Sequence, residues 1–309
     1  MNPLLAPPAK LAEEEWDARL SRLGLGWNDH GYATLTGPLL DLAETCDRTF
    51  RRIAARWDAR PQHHPALLPA EGLSPVDYLP SFPHLATFAV PLAPAADHLQ
   101  AFAATARQEP SAALEQARLA VPGDVLTPAA CYHVYLHHRG QELSAPLVAT
   151  TRNTCFRREE YYAPLRRQWS FQMREIVYVG TREEVSEFLS QARGMVDELT
   201  ARLGLPVEWE AANDPFFEPA ANPRYLAQKL HPTKYEACCQ GLAIASANMH
   251  EDHFGEAYGI SRDGRPASSG CIAFGIERWL YSLIDTWGTD PEAWQHKWPG
   301  ATAAESEDS

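Results

Sequence analysis

The sequence predicts an α+β protein built around an antiparallel sheet, and three stretches predict it. In the centre of the chain, APLVATTRNTCFRRE and SFQMREIVYVG are dense in β-branched and aromatic residues and flank a polar, arginine-rich loop, the pattern of an antiparallel hairpin. Ahead of them, LLDLAETCDRTFRRIAARW sets Leu39, Leu42, Cys46, Phe50, Ile53 and Trp57 three or four residues apart, on one face of a helix. Behind them, SGCIAFGIERWLYSLIDTWG reads as an apolar strand running into a helix. Helices, a strand-rich centre and a closing strand-to-helix join make α+β the simplest arrangement.

Residues 1–35 are rich in Pro and Gly and are set apart as an N-terminal extension, with EEEWDARLSRLG long enough for one short helix. The amphipathic helix from Pro38 to about Arg60 opens the main domain, 36–295. Its outer face carries Arg48, Arg51, Arg52 and Arg56, a solvated stripe unless something acidic docks there. Prolines 61, 65, 69, 75, 80 and 83 make 61–83 an irregular connector. Residues 97–120 read as helix and 128–138 as a strand entered from a helix or turn. VSEFLSQARGMVDEL gives 182–203 the apolar spacing of a helix, and 232–260 return to strands. Residues 296–309, ending in GATAAESEDS, are expected to be a disordered acidic tail. There is no internal repeat and no low-complexity block.

A chain of 309 residues, 45% hydrophobic and 22% charged, is long enough to bury a substantial core. No apolar run approaches the roughly 20 residues needed to cross a bilayer. MNPLLAPPAKLAEEEW has no basic segment ahead of a long apolar one, so a cytoplasmic protein is expected, with no membrane partner. The net charge of −13 disfavours a large phosphate-backbone footprint, and with it tRNA as a partner. Cys46, Cys131, Cys155, Cys238, Cys239 and Cys271 form no CxxC pair, so they are free thiols or scattered ligands.

Chemistry concentrates in Phe156-Arg157-Arg158-Glu159, the loop to Arg167, and then Phe171 and Glu175. Alternate residues of a strand share a face, so Arg157 points with Glu159, and Phe171 with Met173 and Glu175. Such a face suits a nucleotide: an arginine forks onto a phosphate, an acid accepts from an adenine amino group, and an aromatic stacks on the base. A ladder of ion pairs on an exposed sheet would use the same residues. Gly275-Ile276-Glu277-Arg278 places Arg278 at the opening of a helix, where N–H groups and the dipole favour a phosphate. A capping or salt-bridged arginine is the alternative there.

Together and in this order, the two features resemble motifs 2 and 3 of class II aminoacyl-tRNA synthetases. RRQWSFQMRE is similar to the second motif-2 strand of the seryl enzymes, and HHPALLP to a degenerate motif 1 with Pro65 near the dimer interface. The segments DYLPSFPHLAT, LTPAACYHVY, NTCFRREE, FQMREIVYVGT, ANDPFFEP, LAIASANMHEDHFGEAYGI and SSGCIAFGIERW narrow the match. They resemble the amino acid:[carrier protein] ligases, truncated relatives of an atypical archaeal seryl-tRNA synthetase that lack a tRNA-binding domain.

That resemblance implies a synthetase-like catalytic domain over 36–295, an antiparallel sheet flanked by helices, acting as a homodimer. It implies ATP and a small amino acid as substrates, the phosphopantetheine thiol of a carrier protein as acceptor, and no tRNA. Arg157 is expected on the α-phosphate, Arg278 on the γ-phosphate, Glu159 at the adenine amino group and Phe171 against the ring, with Arg167 beside them. Mg²⁺ is expected between the phosphates with Glu236 as candidate ligand, although Leu242 stands near where the seryl pattern has an acid. Zn²⁺ is expected on Cys131, Glu175 and Cys271, its open fourth position taking the substrate amine, with Asn248 lining the amino-acid pocket. Without the resemblance, Cys131 and Cys271 read as core thiols.

Cys155 is expected to pack, and at most one of Cys238 and Cys239 to face the site. His250-Glu251-Asp252-His253 looks like a metal box but reads better as local structure after Asn248. Since such carriers are acidic, the Arg48/Arg51/Arg52/Arg56 face is the candidate docking surface. No group evidently recognises a side chain, which points to glycine or alanine. An enzyme charging tRNA or another small acceptor, and an inactive relative with a regulatory role, are the alternatives.

Overall fold

The computed structural model of the protein describes residues 13–298. The expected acidic tail falls almost wholly outside the described residues, as do the first twelve positions. Seven strands form the central sheet: β1 (Arg60–Gln62), β2 (Leu147–Phe156), β3 (Ser170–Gly180), β4 (Val207–Ala211), β5 (Lys234–Cys239), β6 (Leu242–Glu251) and β7 (Ser268–Gly275). Their spatial order is β4-β5-β6-β7-β3-β2-β1, antiparallel throughout except where β1 joins β2. β2 and β3 are the hairpin that the β-branched and aromatic runs predict.

Cross-strand partners share a face of a sheet, and so do residues two apart along a strand. The register therefore sorts the side chains into two sets. Phe274, Arg174, Ile272, Ile176 and Thr150 fall on one face; Cys271, Ala273, Glu175, Thr151, Met173 and Phe171 fall on the other.

The first face is a dry core. Helices α1 (Gly37–Ala54), α3 (Arg182–Leu203) and α6 (Ile276–Trp287) cover it. α1 presents Leu39, Leu42, Cys46, Phe50 and Ile53, all buried, as their spacing predicts. Phe50 stacks on Phe274 with ring centroids 4.1 Å apart, and Trp279 meets Phe50 edge-on at 5.0 Å. Each such fully buried side chain contributes roughly 2 kcal/mol through removal of apolar surface from water. α3 spans the predicted 182–203: Thr181 and Glu184 close a capping box at its start, and Gly204, at φ 70°, takes the left-handed turn that ends it. Inside this layer the Arg174 guanidinium forks onto Asp47, with bonds of 2.7 and 2.8 Å and both side chains under 10% exposed.

The second face is only partly covered. α2 (Cys131–His137) and α5 (His253–Tyr258) pack Val134, Tyr135, Phe254 and Tyr258 against Ala149, Val177 and Cys271. Between them and the sheet a cavity stays open. α4 (Pro223–Leu230) follows β4 near its rim.

Several elements differ from the sequence reading. Residues 128–138 form no strand: Cys131, Val134 and Tyr135 sit at helical spacing and make α2, although valine and tyrosine favour strands. The helix expected over 97–120 is two, Ala96–Gln108 and Pro110–Glu115, because Pro110 lacks an N–H and pushes Glu109 to φ −136°, ψ 84°. Strands fill only part of 232–260, which ends in α5. The connector 61–83 is short pieces: the rest of β1, Leu67–Pro69, a 3₁₀ turn over Ala70–Val76 and one helical turn at Tyr78–Ser81. Residues 13–35 make a helix, Glu13–Arg22, and a hairpin, and they lend Leu20, Leu23 and Leu25 to the first-face core. Among the described residues no helix is long and apolar enough to cross a membrane.

Candidate active site

The second face of β3, β6 and β7 floors a cavity of about 530 Å³. At one end stand two arginines. Arg157, just past β2, donates from Nε to the Pro128 carbonyl at 2.9 Å, and its guanidinium lies 5.3 Å from the centre of the Phe171 ring. Arg278, in the first turn of α6, donates to the Arg166 carbonyl at 2.9 Å and the Ala243 carbonyl at 3.1 Å. Both are held by main-chain oxygens, and neither has a carboxylate partner among the described residues. Burial, then the Arg157 charge, pull the Arg278 pKa down, so an anion here would relieve both costs. Glu159 and Arg167 also line this end, bound to each other at 2.7 Å. Beneath, the buried Glu277 carboxylate accepts from the Gln172 N–H at 3.0 Å to each oxygen, tying α6 to β3 beside Phe171. Burial pushes its pKa up to about 7.

At the other end Cys131, Glu175 and Cys271, from α2, β3 and β7, bring their ligand atoms within 4.8 Å of one another. All three are buried. Glu175 accepts from the Ala130 N–H at 2.8 Å, and Asn248 Nδ2 lies 3.4 Å from Cys271 Sγ. Cys131 is pushed well above the ordinary thiol range, first by its bond to Cys271 and then by burial. The bond from Cys131 lowers Cys271, but burial and the Glu175 charge leave it raised. Two buried thiols facing a carboxylate become thiolates only against a cation. Two sulfurs and one carboxylate suit zinc and leave a fourth position open toward the cavity, so the donor set fits.

Beyond Cys271 the floor continues across two more strands. Cys271, Asn248 and Lys234 stand directly opposite one another on β7, β6 and β5. Lys234 Nζ reaches Asp214 at 3.1 Å and Glu236 at 3.2 Å. Glu236, the expected magnesium ligand, thus lines the cavity already paired to an ammonium. Asp214 also accepts from Gln228 Nε2 at 2.9 Å, and its N–H donates to Gln228 Oε1 at 3.0 Å. Sequence reasoning missed Lys234, Asp214 and Gln228. ANDPFFEP stood out only as a matching segment, and nothing local connects Asp214 to a lysine twenty residues on.

His250 lines the cavity as well, Nε2 3.8 Å from Cys271 Sγ and Nδ1 3.0 Å from the Tyr135 hydroxyl. The rest of His250-Glu251-Asp252-His253 is no metal box. Cys131, Glu175 and Cys271 are the one metal-capable group among the described residues; Glu251 pairs with Arg182, and Asp252 opens α5. Cys155 is buried and not part of the cavity lining, and neither are Cys238 and Cys239, where a bulge between Ala237 and Cys238 shifts the register.

Arg48, Arg51 and Arg52 flank a separate crevice of about 360 Å³ with Pro61 and Thr150. That crevice is on the dry-core face. The arginine stripe expected as a docking surface is therefore not part of the cavity lining. Pro65, in the connector, accepts from Asn153 Nδ2 at 2.9 Å.

Fold and cavity define the class: this is a class II aminoacyl-tRNA synthetase-like fold. The chain superposes on M. kandleri SerRS, solved in complex with A. aeolicus tRNASec, with a TM-score of 0.79 over 97% of this chain and 61% of that one at 21% identity. It matches the cytoplasmic serine-tRNA ligase of Naegleria fowleri, solved in complex with AMP, with a TM-score of 0.65 over 92% of this chain and 58% of that one at 13% identity. At these identities the likeness shows the fold. No protein-family model matches the chain.

Sequence relatives are more particular. The chain is 38% identical over 186 residues to amino acid--[acyl-carrier-protein] ligase 1 of Bradyrhizobium diazoefficiens, covering 57% of each chain. It is 28% identical over 188 residues to the type-2 serine--tRNA ligase of Methanococcus maripaludis, covering 56% of this chain and 37% of that one. The homologues thus carry the two ligase names that the motifs resemble, and the chain spans little more than half the length of the first.

Proposed function

We propose that the protein is an AMP-forming amino acid:[carrier protein] ligase. It activates glycine or alanine with ATP as the aminoacyl-adenylate and passes the aminoacyl group to the phosphopantetheine thiol of a carrier protein, working as a homodimer. One observation carries this reading. A single strand, β3, leads from Glu175 in the Cys/Glu/Cys cluster to Phe171 beside Arg157, four residues or about 13 Å along. One ligand lying along it would have an amine at the first end and phosphates at the second.

In the first step a carboxylate oxygen attacks the α-phosphorus of ATP in line and pyrophosphate leaves. Little proton chemistry is needed and much charge must be stabilised. Arg157 takes the α-phosphate and Arg278 the γ-phosphate. Each is already aimed by carbonyl bonds, so little reorganisation precedes reaction. Phe171 packs on the adenine, and Glu159, steadied by Arg167, accepts from its amino group. Glu236 is the cavity carboxylate that would hold Mg²⁺, which would neutralise phosphate charge, once Lys234 yields it.

Cys131, Glu175 and Cys271 would hold Zn²⁺, which would fix the amino group in its deprotonated form. Asn248 orients that end through its contact with Cys271. In the second step the carrier thiolate attacks the acyl carbon and AMP leaves, so the chain needs no nucleophile of its own. The acyl-carrier-protein ligase relatives and the net charge of −13 both support a carrier rather than tRNA as acceptor.

The test is amino-acid-dependent ATP–pyrophosphate exchange across the twenty amino acids, followed by transfer to a phosphopantetheinylated carrier and, separately, to tRNA. Exchange with glycine or alanine and loading of the carrier are expected. Charging of tRNA alone would replace the acceptor, and no exchange at all would end the reading in favour of an inactive relative.

A further inference from the structure

Apart from the hold of Lys234 on Glu236, the Lys234–Asp214–Gln228 cluster has no part in the chemistry above, yet it forms one wall of the same cavity. Its position follows from the register. Cys271, Asn248 and Lys234 share a row across three neighbouring strands, and strands lie about 4.8 Å apart, so Lys234 begins about 10 Å from the metal-capable cluster with only Asn248 between. A substrate with its amine at Cys131, Glu175 and Cys271 and its carboxylate toward Arg157 has two directions of its α-carbon assigned. Along the floor of the sheet, what remains for the side chain is the row of Asn248 and Lys234.

The polar atoms on this wall are engaged with one another. Lys234 binds Asp214 and Glu236; both Asp214 oxygens are taken, one by Lys234 and one by Gln228; Gln228 closes back onto the Asp214 N–H; Asn248 Nδ2 binds Ser246 at 3.0 Å. Burial alone would raise the Asp214 pKa, but Lys234 and Gln228 hold it below the ordinary range, which keeps the pair charged and closed. Phe216, two residues on, stacks on Phe82 at 5.0 Å and anchors the loop that brings Asp214 in. Such a wall meets a side chain with an ion pair already closed on itself, Lys234 mostly buried and Asp214 37% exposed, and an apolar intruder would have to break it.

Resting on the proposed adenylation, we infer that the Lys234–Asp214–Gln228 network is the specificity-determining end wall of the amino-acid subsite, limiting the substrate by size rather than reading a polar side chain. It acts by exclusion. Favourable packing discriminates one methylene by only about 10–200-fold, whereas a side chain that reaches this wall must also open the Lys234–Asp214 pair.

The experiment is pyrophosphate exchange with glycine, alanine, threonine and valine on the wild type, Asp214→Ala, Lys234→Met and Gln228→Ala, with thermal melts alongside. The readout is the ratio of kcat/KM for threonine or valine to that for glycine, which a merely structural loss does not move. A rise of at least about tenfold in that ratio, the equivalent of one kcal-scale contact, is expected in Asp214→Ala and Lys234→Met, with a smaller rise in Gln228→Ala. An unchanged ratio in variants that still melt cooperatively overturns the inference while leaving the adenylation reading intact. Should Asp214→Ala fail to fold, Lys234→Met, which keeps the aliphatic stem, decides alone. A wild type without exchange on any amino acid defeats the underlying reading instead.

Discussion

Arg174 and Glu175 are neighbours in the chain and live in different surroundings, one on each face of the sheet. On the dry face Arg174 meets a carboxylate that matches it, donating twice to Asp47. On the cavity face Arg157 and Arg278 lean on carbonyls, which orient a guanidinium without cancelling its charge. The same side-chain type is thus neutralised where it holds the fold and left electrically hungry where a ligand is proposed to bind. The difference teaches that an arginine's role is set by what its neighbours leave unsatisfied.

The largest effect expected from this contrast is on Arg157→Ala. Its kcat/KM in pyrophosphate exchange should fall about 10²–10³-fold, as when one preorganised donor to a developing charge is lost, with the melting temperature little changed. A fall in stability instead, with normal exchange, would put Arg157 in the same category as Arg174. Asp47→Ala should do the reverse: leaving Arg174 buried without its partner costs about 3–5 kcal/mol, read by urea unfolding, and the KM for ATP of the surviving folded fraction should hold.

Glu277 sits between the faces and titrates accordingly. Its folded-state pKa is raised from 4.5 to about 7, so the folded state binds the proton more tightly than the unfolded chain. Its contribution is therefore full at acid pH and is lost as pH rises from 4.5 through 7. In Glu277→Gln that part of the pH dependence of unfolding should flatten; an unaltered curve would refute the burial argument. Smaller still, Phe171→Ala should raise the KM for ATP by about 1 kcal/mol, roughly fivefold, the worth of one base–aromatic stack. Arg51→Glu with Arg52→Glu should leave carrier loading unchanged, since that crevice is on the dry face.

Legibility in the sequence followed periodicity. α1, α3, the β2–β3 hairpin and the β7–α6 join are long or strongly patterned, and they lie where pattern places them. α2 escaped because a seven-residue helix gives little period to read and its Tyr132, Val134 and Tyr135 favour strands. Cys131, Glu175 and Cys271 come from three separate elements. As residues the two cysteines read as core thiols and Glu175 as part of a nucleotide-suited strand face, and only the family resemblance joined the three as ligands before the fold brought them within 4.8 Å. Asp214 was illegible for a deeper reason: it belongs to a loop, and Gln228 and Lys234, which give it meaning, arrive from two other elements.

The Asp47 fork has one more consequence. Side chains alternate along β3, so a pairing error of a single residue would turn Arg174 into the cavity and Glu175 into the oily layer. The fork fits α1 in one alignment only. It works as a ratchet tooth: by fixing which residues face the helix, it fixes at the same stroke which ones face the ligand. A misaligned molecule would not be a weaker version of this protein but one with its inside and its workplace exchanged.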